Sequence, residues 1–125
     1  MFILANSTYT PAATHTTIAN VGTAGVNYIG SGNGAPIAVS SPTIDSSTTP
    51  GTAMFKSADA NFGASVTISA KYLICVQPVT AGVIAATSKL LWYVDLNNAT
   101  VSSEAYAAAS EFKINMPATG WFKTV

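Results

Sequence analysis

Any chemistry in this chain has to be done with very few groups. Among 125 residues there is one histidine, His15, one cysteine, Cys75, five lysines and five acids. Nucleophilic catalysis needs a nucleophile, a base and an orienting carboxylate held together. Serines are plentiful, but His15 sits in a Thr-rich segment, ATHTT, and no nucleophile-elbow motif is present. A lone histidine in such a segment reads as structural or exposed, and the chain is predicted not to be an enzyme. One His and one Cys cannot build a zinc site. Asp45, Asp59 and Asp95 are scattered, and residues 95–98 (DLNN) lack the spacing of a calcium loop. The run GSGNG at 30–34 has neither the flanking strand and helix nor the lysine of a phosphate-binding loop. No catalytic residue, cofactor or metal is therefore expected.

Binding is the chemistry that remains. Tyr and Trp are enriched at protein interfaces. Trp92 and Phe112 read as core, whereas Tyr93, Tyr106 and Trp121 read as interface anchors. Tyr9, Tyr28 and Ile29 are apolar anchors in an otherwise small-residue stretch. With Leu91, the expected partner-facing set is Tyr9, Tyr28, Ile29, Leu91, Tyr93 and Trp121. Cys75 lies inside an apolar run and reads as an inert buried thiol. A single cysteine allows no intrachain disulfide.

The elements that must position these residues centre on two apolar runs, 71–79 (KYLICVQPV) and 88–96 (SKLLWYVDL). Both are rich in aromatic and β-branched residues and short for helices, so both are predicted strands. Strand alternation sends Leu90, Trp92, Val94 and Leu96 to one face and Lys89, Leu91, Tyr93 and Asp95 to the other. Tyr72, Ile74 and Val76 likewise oppose Leu73, Cys75 and Gln77. Neither strand has a cleanly polar side, so something must cover the second face: another part of this chain or a partner subunit. Residues 80–87 form a broad hairpin loop between the strands.

Further strands are predicted at 36–44 (at an edge, because of Pro42), 65–69, 110–116 and 121–125. In the run 110–116 Phe112, Ile114 and Met116 point inward and Glu111, Lys113 and Asn115 outward. Residues 53–56 begin the denser part of the chain, and residues 57–62 read as a polar turn closing on Phe62. Residues 102–110 (SSEAYAAAS) are the one credible helix, with Ser102 as cap and Glu104 in the first turn. The fold class is mostly β: a single antiparallel β-sandwich or compact barrel over 51–125, with residues 1–50 as an extended arm. Gly and Pro interrupt that arm, which becomes ordered by packing on its own domain or on a neighbour.

Only 8% of residues are charged and the net charge is zero, against about 25% charged residues in ordinary soluble domains. Nucleic-acid binding needs a basic stripe, and electrostatic membrane docking needs basic clusters. Neither partner is expected. Residues 1–9 lack the features of a signal peptide, and no apolar run reaches transmembrane length. Synthesis and retention in the cytoplasm until assembly is the expectation. Low charge suits a protein that is packed into an assembly.

From Phe55 onward the chain resembles small virion proteins of tailed bacteriophages, associated with the head and described as decoration or cement proteins. The likeness rests on FKSADANF (55–62), YLICV (72–76), SKLLWYVD (88–95) and GWFKTV (120–125). The opening NSTYTPAATH (6–15) is also similar, while the loop after Val76 differs in being apolar. The resemblance implies a β-rich, non-enzymatic structural protein on the capsid surface of a virion. It implies the major capsid protein as partner and self-association, a trimer in the first instance. The other function considered is a tail- or fibre-associated module that recognises host glycan. Convergent exposed Trp and Tyr in a cleft would favour that function, and a flat apolar patch near Leu91 and Tyr93 the first.

Overall fold

The computed structural model describes residues 1–45, 53–96, 105–118 and 120–123, with the backbone alone at 65, 66, 105–110, 122 and 123. The two apolar runs form β5 (Tyr72–Gln77) and β6 (Lys89–Asp95), paired antiparallel as a wide hairpin. Their loop contains a tight turn closed by a bridge between Thr80 and Val83. On the other side of β5 lies β1 (Phe2–Ala5), antiparallel, in register from Phe2 opposite Cys75 to Ala5 opposite Tyr72. The order of this sheet is β1-β5-β6.

The stretch 1–50 was expected to be an arm, yet it opens with a strand of the central sheet. All four β1 residues are at most 1% exposed. The reason is hydrophobicity: FILA is apolar throughout, as a strand buried on both faces must be. Of the two ways of ordering the stretch, residues 1–45 pack on their own domain. They also close the sheet's edges, where unpaired backbone groups would otherwise invite pairing with other chains. Phe2 exchanges two backbone hydrogen bonds with Ile37 (2.8 and 3.0 Å), and the Ile29 N–H donates to the Leu4 carbonyl (2.9 Å). On the far side, the Leu90 N–H donates to Thr16 and the Ile18 N–H to Ser88, each at 2.9 Å.

Amides and hydroxyls shape this segment in place of charges. Asn27 Oδ1 accepts the Thr23 N–H, and its Nδ2 donates to the Thr8 hydroxyl, both at 2.9 Å. Asn20 Oδ1 accepts the N–H groups of Thr16 and Thr17 at the start of a one-turn helix, α1 (Ile18–Val21). Such side-chain acceptors take up donors that a helix start leaves unpaired.

Both faces of the central sheet are buried. On one, Phe2, Leu4, Leu73 and Cys75 pack with Ala60, Phe62, Ile68 and Ala70. The last four belong to β4 (Ala60–Ala70), which pairs with β7 (Ala105–Ile114) as a long antiparallel ribbon. On the other face Ile3, Ala5, Tyr72, Ile74 and Val76 pack under Tyr9, Ile18 and Val21. The cover that the two-sided apolar strands require is thus supplied largely by this chain.

Two expectations for the second half are corrected. Residues 105–110, predicted as the end of a helix, are the first part of β7, with Ala105 opposite Ala70 and Ala107 opposite Ile68. Helix propensity separates residue types by less than about 1 kcal/mol each, and pairing along β4 satisfies the backbone without it. The expected cap residues 102–104 lie outside the described residues. The predicted polar turn at 57–62 ends early, because β4 already begins at Ala60. A register shift between Asn61 and Ala64 admits Gly63 (φ 114°), so the strand passes through a bulge. The predicted alternation at 111–116 is observed: Phe112, Ile114 and Met116 are half-buried, and Glu111, Lys113 and Asn115 are exposed.

A third antiparallel sheet has the order β2-β3-β8, from β2 (Thr43–Asp45), β3 (Met54–Lys56) and β8 (Phe122–Lys123). The strand expected at 36–44 begins only after Pro42, at the edge position that Pro42 suggested. Lys56 and Asp45 pair at 2.7 Å across β2 and β3. Gly120 (φ 77°) turns the chain into β8. A Cβ there would lie 2.6 Å from the Phe55 carbonyl oxygen, so only glycine fits. The fold is mostly β with antiparallel sheets, as expected.

Candidate interaction surface

β6 sets the geometry of the surface. Its register with β5 places Trp92 opposite Cys75 but Leu90 opposite Val76. Leu91 is the extra residue of a bulge, and the alternation of side chains breaks there. Leu90 consequently packs with the second core cluster, and Trp92, Val94 and Leu96 with the first. The single face expected for all four is split by this one residue.

The bulge leaves Leu91 56% exposed, and Tyr93 beside it is 53% exposed. Tyr93 stands edge-on to Tyr72, with ring centroids 5.9 Å apart at 86°. Tyr72 meets Tyr9 in the same way, at 5.8 Å and 83°. Tyr9 in turn lies tilted against His15 (centroids 5.7 Å apart), whose Nδ1 is 3.4 Å from the Tyr9 hydroxyl. Burial raises the Tyr9 phenol above its usual range, and the neighbouring phenols of Tyr93 and Tyr72 add to the shift. The shallow opening bounded by Tyr9, His15, Leu91 and Tyr93 is about 200 Å³. That is below the range of about 300–1,000 Å³ of small-molecule sites. What this arrangement offers chemically is apolar area, with the Lys71 ammonium over the Tyr72 ring (5.6 Å) and Lys89 and Asp95 at the two ends of β6 as the nearby charges.

The expected partner-facing residues divide. Leu91 and Tyr93 come together at the surface. Tyr9 is only 5% exposed and serves as a lid on the second core. Tyr28 and Ile29 are half-buried along the outer edge of β1. Trp121 belongs to an aromatic cluster: it stacks on Trp92 (5.6 Å, 27°) and meets Phe2 edge-on (5.4 Å, 63°). Tyr106 is described through its backbone alone. Sequence reasoning overlooked Val79 and Val83, each 52% exposed on the loop between β5 and β6. The apolar composition of that loop was the available signal. A wider depression of about 520 Å³ lies beside it, bordered by Met1, Tyr28, Pro36, Gly82 and Ile84.

Among the described residues no group of three or more His, Cys, Asp or Glu side chains could hold a metal ion. No described helix is long and apolar enough to cross a membrane. Cys75 is 2% exposed, and burial raises its thiol above the usual range. Comparison with protein-family models, with curated proteins and with solved structures finds no match to this chain.

Proposed function

We propose that the protein is a non-enzymatic structural protein of a bacteriophage virion, which binds and stabilises the outer surface of the capsid as a decoration or cement protein. The observation that carries this reading is the exposed pair Leu91 and Tyr93, close together on one strand, while the other large apolar side chains more than half exposed among the described residues (Val26, Ile44, Val79 and Val83) lie on other segments. Burying the half of each side chain that is still exposed contributes roughly 1 kcal/mol apiece. Lys89 and Asp95 flank the pair at the two ends of β6, so the apolar centre of the contact can be buried with these charges left at its rim. The partner is the major capsid protein. Val79 and Val83 supply a second exposed apolar surface, as self-association beside shell binding requires; closed symmetry is the general expectation, and the resemblance to phage decoration proteins selects the trimer.

The glycan-binding alternative draws less support. Both tryptophans are half-buried and stacked on one another, which leaves tyrosines alone for a sugar platform. Co-sedimentation with assembled shells, against dispersed capsid protein, tests the proposal. A decoration protein pellets saturably with shells only. Binding to both forms, or to neither, would contradict it.

A further inference from the structure

We infer that Asn33 is a site of spontaneous deamidation, at which the folded protein acquires a negative charge and a branched backbone linkage. Residues 32–35 form a turn closed by the Ala35 N–H donating to the Gly32 carbonyl (3.1 Å), with Gly34 at φ 79°. A negative φ at Asn33 and a positive φ at the next residue are the signature of a type II turn. In such a turn the peptide between the two central residues takes no part in the closing hydrogen bond, so it can reorient without breaking that bond. The Gly34 nitrogen can then reach the Asn33 carboxamide, and with no Cβ on Gly34 nothing obstructs the approach.

The other described asparagines lack this combination. Asn6, Asn20, Asn27 and Asn61 each have a carboxamide held by hydrogen bonds. Asn115 has an exposed side chain, but the N–H that would attack it, on Met116, is committed to Asp59 Oδ1 at 2.8 Å. At Asn33 the side chain is exposed, and neither its carboxamide nor the Gly34 N–H is hydrogen-bonded to a described group.

The step balances without any cofactor. The Gly34 nitrogen attacks Asn33 Cγ, the N–Cγ bond forms, and the Cγ–Nδ2 bond breaks. Ammonia leaves, carrying the amide proton of Gly34, and a five-membered imide remains. Water then opens the imide at either carbonyl. One product is aspartate in the ordinary linkage; the other is isoaspartate, with the main chain running through Cγ. The isoaspartate inserts a methylene next to a buried Gly34, where even a Cβ would approach Ile29 Cδ1 to 2.9 Å and Ile68 Cδ1 to 3.1 Å. The new charge appears on a chain whose formal net charge is zero.

The test is timed incubation of the folded protein at mildly alkaline pH, followed by peptide mapping and isoaspartate-specific enzymatic methylation. The expected result is a product at position 33, heavier by the difference between oxygen and NH, that accumulates before any other described asparagine changes. A new acidic species should appear on ion exchange and be absent from Asn33→Gln. A parallel incubation in urea verifies the readout. Conversion at position 33 in urea but not in the folded protein would overturn the inference, as would earlier conversion at Asn6 or Asn115.

Discussion

The indole N–H of Trp121 donates to the hydroxyl of Ser57 at 2.7 Å, across 64 positions of sequence. Ser57 is itself 7% exposed. Its hydroxyl donates onward to the Ala58 carbonyl at 2.7 Å, and its N–H is directed at the Met116 sulfur at 3.1 Å. One small buried serine thus ties the end of the chain to the junction between β3 and β4. Ser57→Ala leaves the indole donor without this partner in a half-buried site. A loss of about 1–3 kcal/mol is expected, measured as a lower urea midpoint with an unchanged slope. A stability equal to that of the parent would show that water replaces the hydroxyl.

β1 carries more of the stability than its place at the start of the chain suggests. Leu4 is fully buried in the first core cluster. Leu4→Ala is expected to cost about 2–5 kcal/mol by removing packed methyl groups and leaving a cavity. An exposed control, Val26→Ala at 62% exposure, is expected to stay within about 0.5 kcal/mol. Urea titrations of both variants check this. If residues 1–5 acted as a detachable arm, Leu4→Ala would behave like the control.

Alkaline pH tests the buried thiol and phenol. Burial raises Cys75 above its ordinary 9.0 and Tyr9 above its ordinary 10.0. Between the unfolded and folded values the unfolded chain has lost the proton and the native one has kept it. The stability from each group is therefore full below the unfolded value and is lost as pH rises through the folded value. Stability should begin to fall near pH 9, first through Cys75 and then through Tyr9. Cys75→Ala should flatten the first part of the decline, and Tyr9→Phe the second. Midpoints followed across pH 7–11 (roughly the window these values span) check the order, and a decline unchanged in both variants would contradict the assignment.

The strands of the second half were legible because their chemistry is local. At 71–79, 88–96 and 110–116, composition and alternation alone indicate strands, and the structure has them. What could not be read locally was set by long-range packing. Residues 2–5 are too few to show a period, and only pairing with β5 makes them a strand. The Ala-rich run at 105–110 follows β4, not its own helix propensity. The bulge at Leu91 has no mark in the sequence, since it arises from where β5 and β6 slip in register. Of the expected surface residues, Leu91 is the one the slip leaves over, whereas Tyr93 stays in register opposite Ile74 and is exposed on the face that strand alternation assigned to it. Tyr9 and Trp121 carry the same aromatic character, which serves a core as well as an interface.

The central claim is that Leu91 and Tyr93 form the face that meets the capsid. The most direct measurement is co-sedimentation of the protein with assembled shells, comparing the parent with Leu91→Asp/Tyr93→Asp. Both positions are more than half exposed, so the double variant should remain folded, with a urea midpoint lowered only by loss of the Tyr93–Tyr72 ring contact. The parent should pellet saturably, and the folded variant should lose pelleting. A folded variant that pellets as well as the parent, or a parent that never pellets with any shell, would contradict the claim.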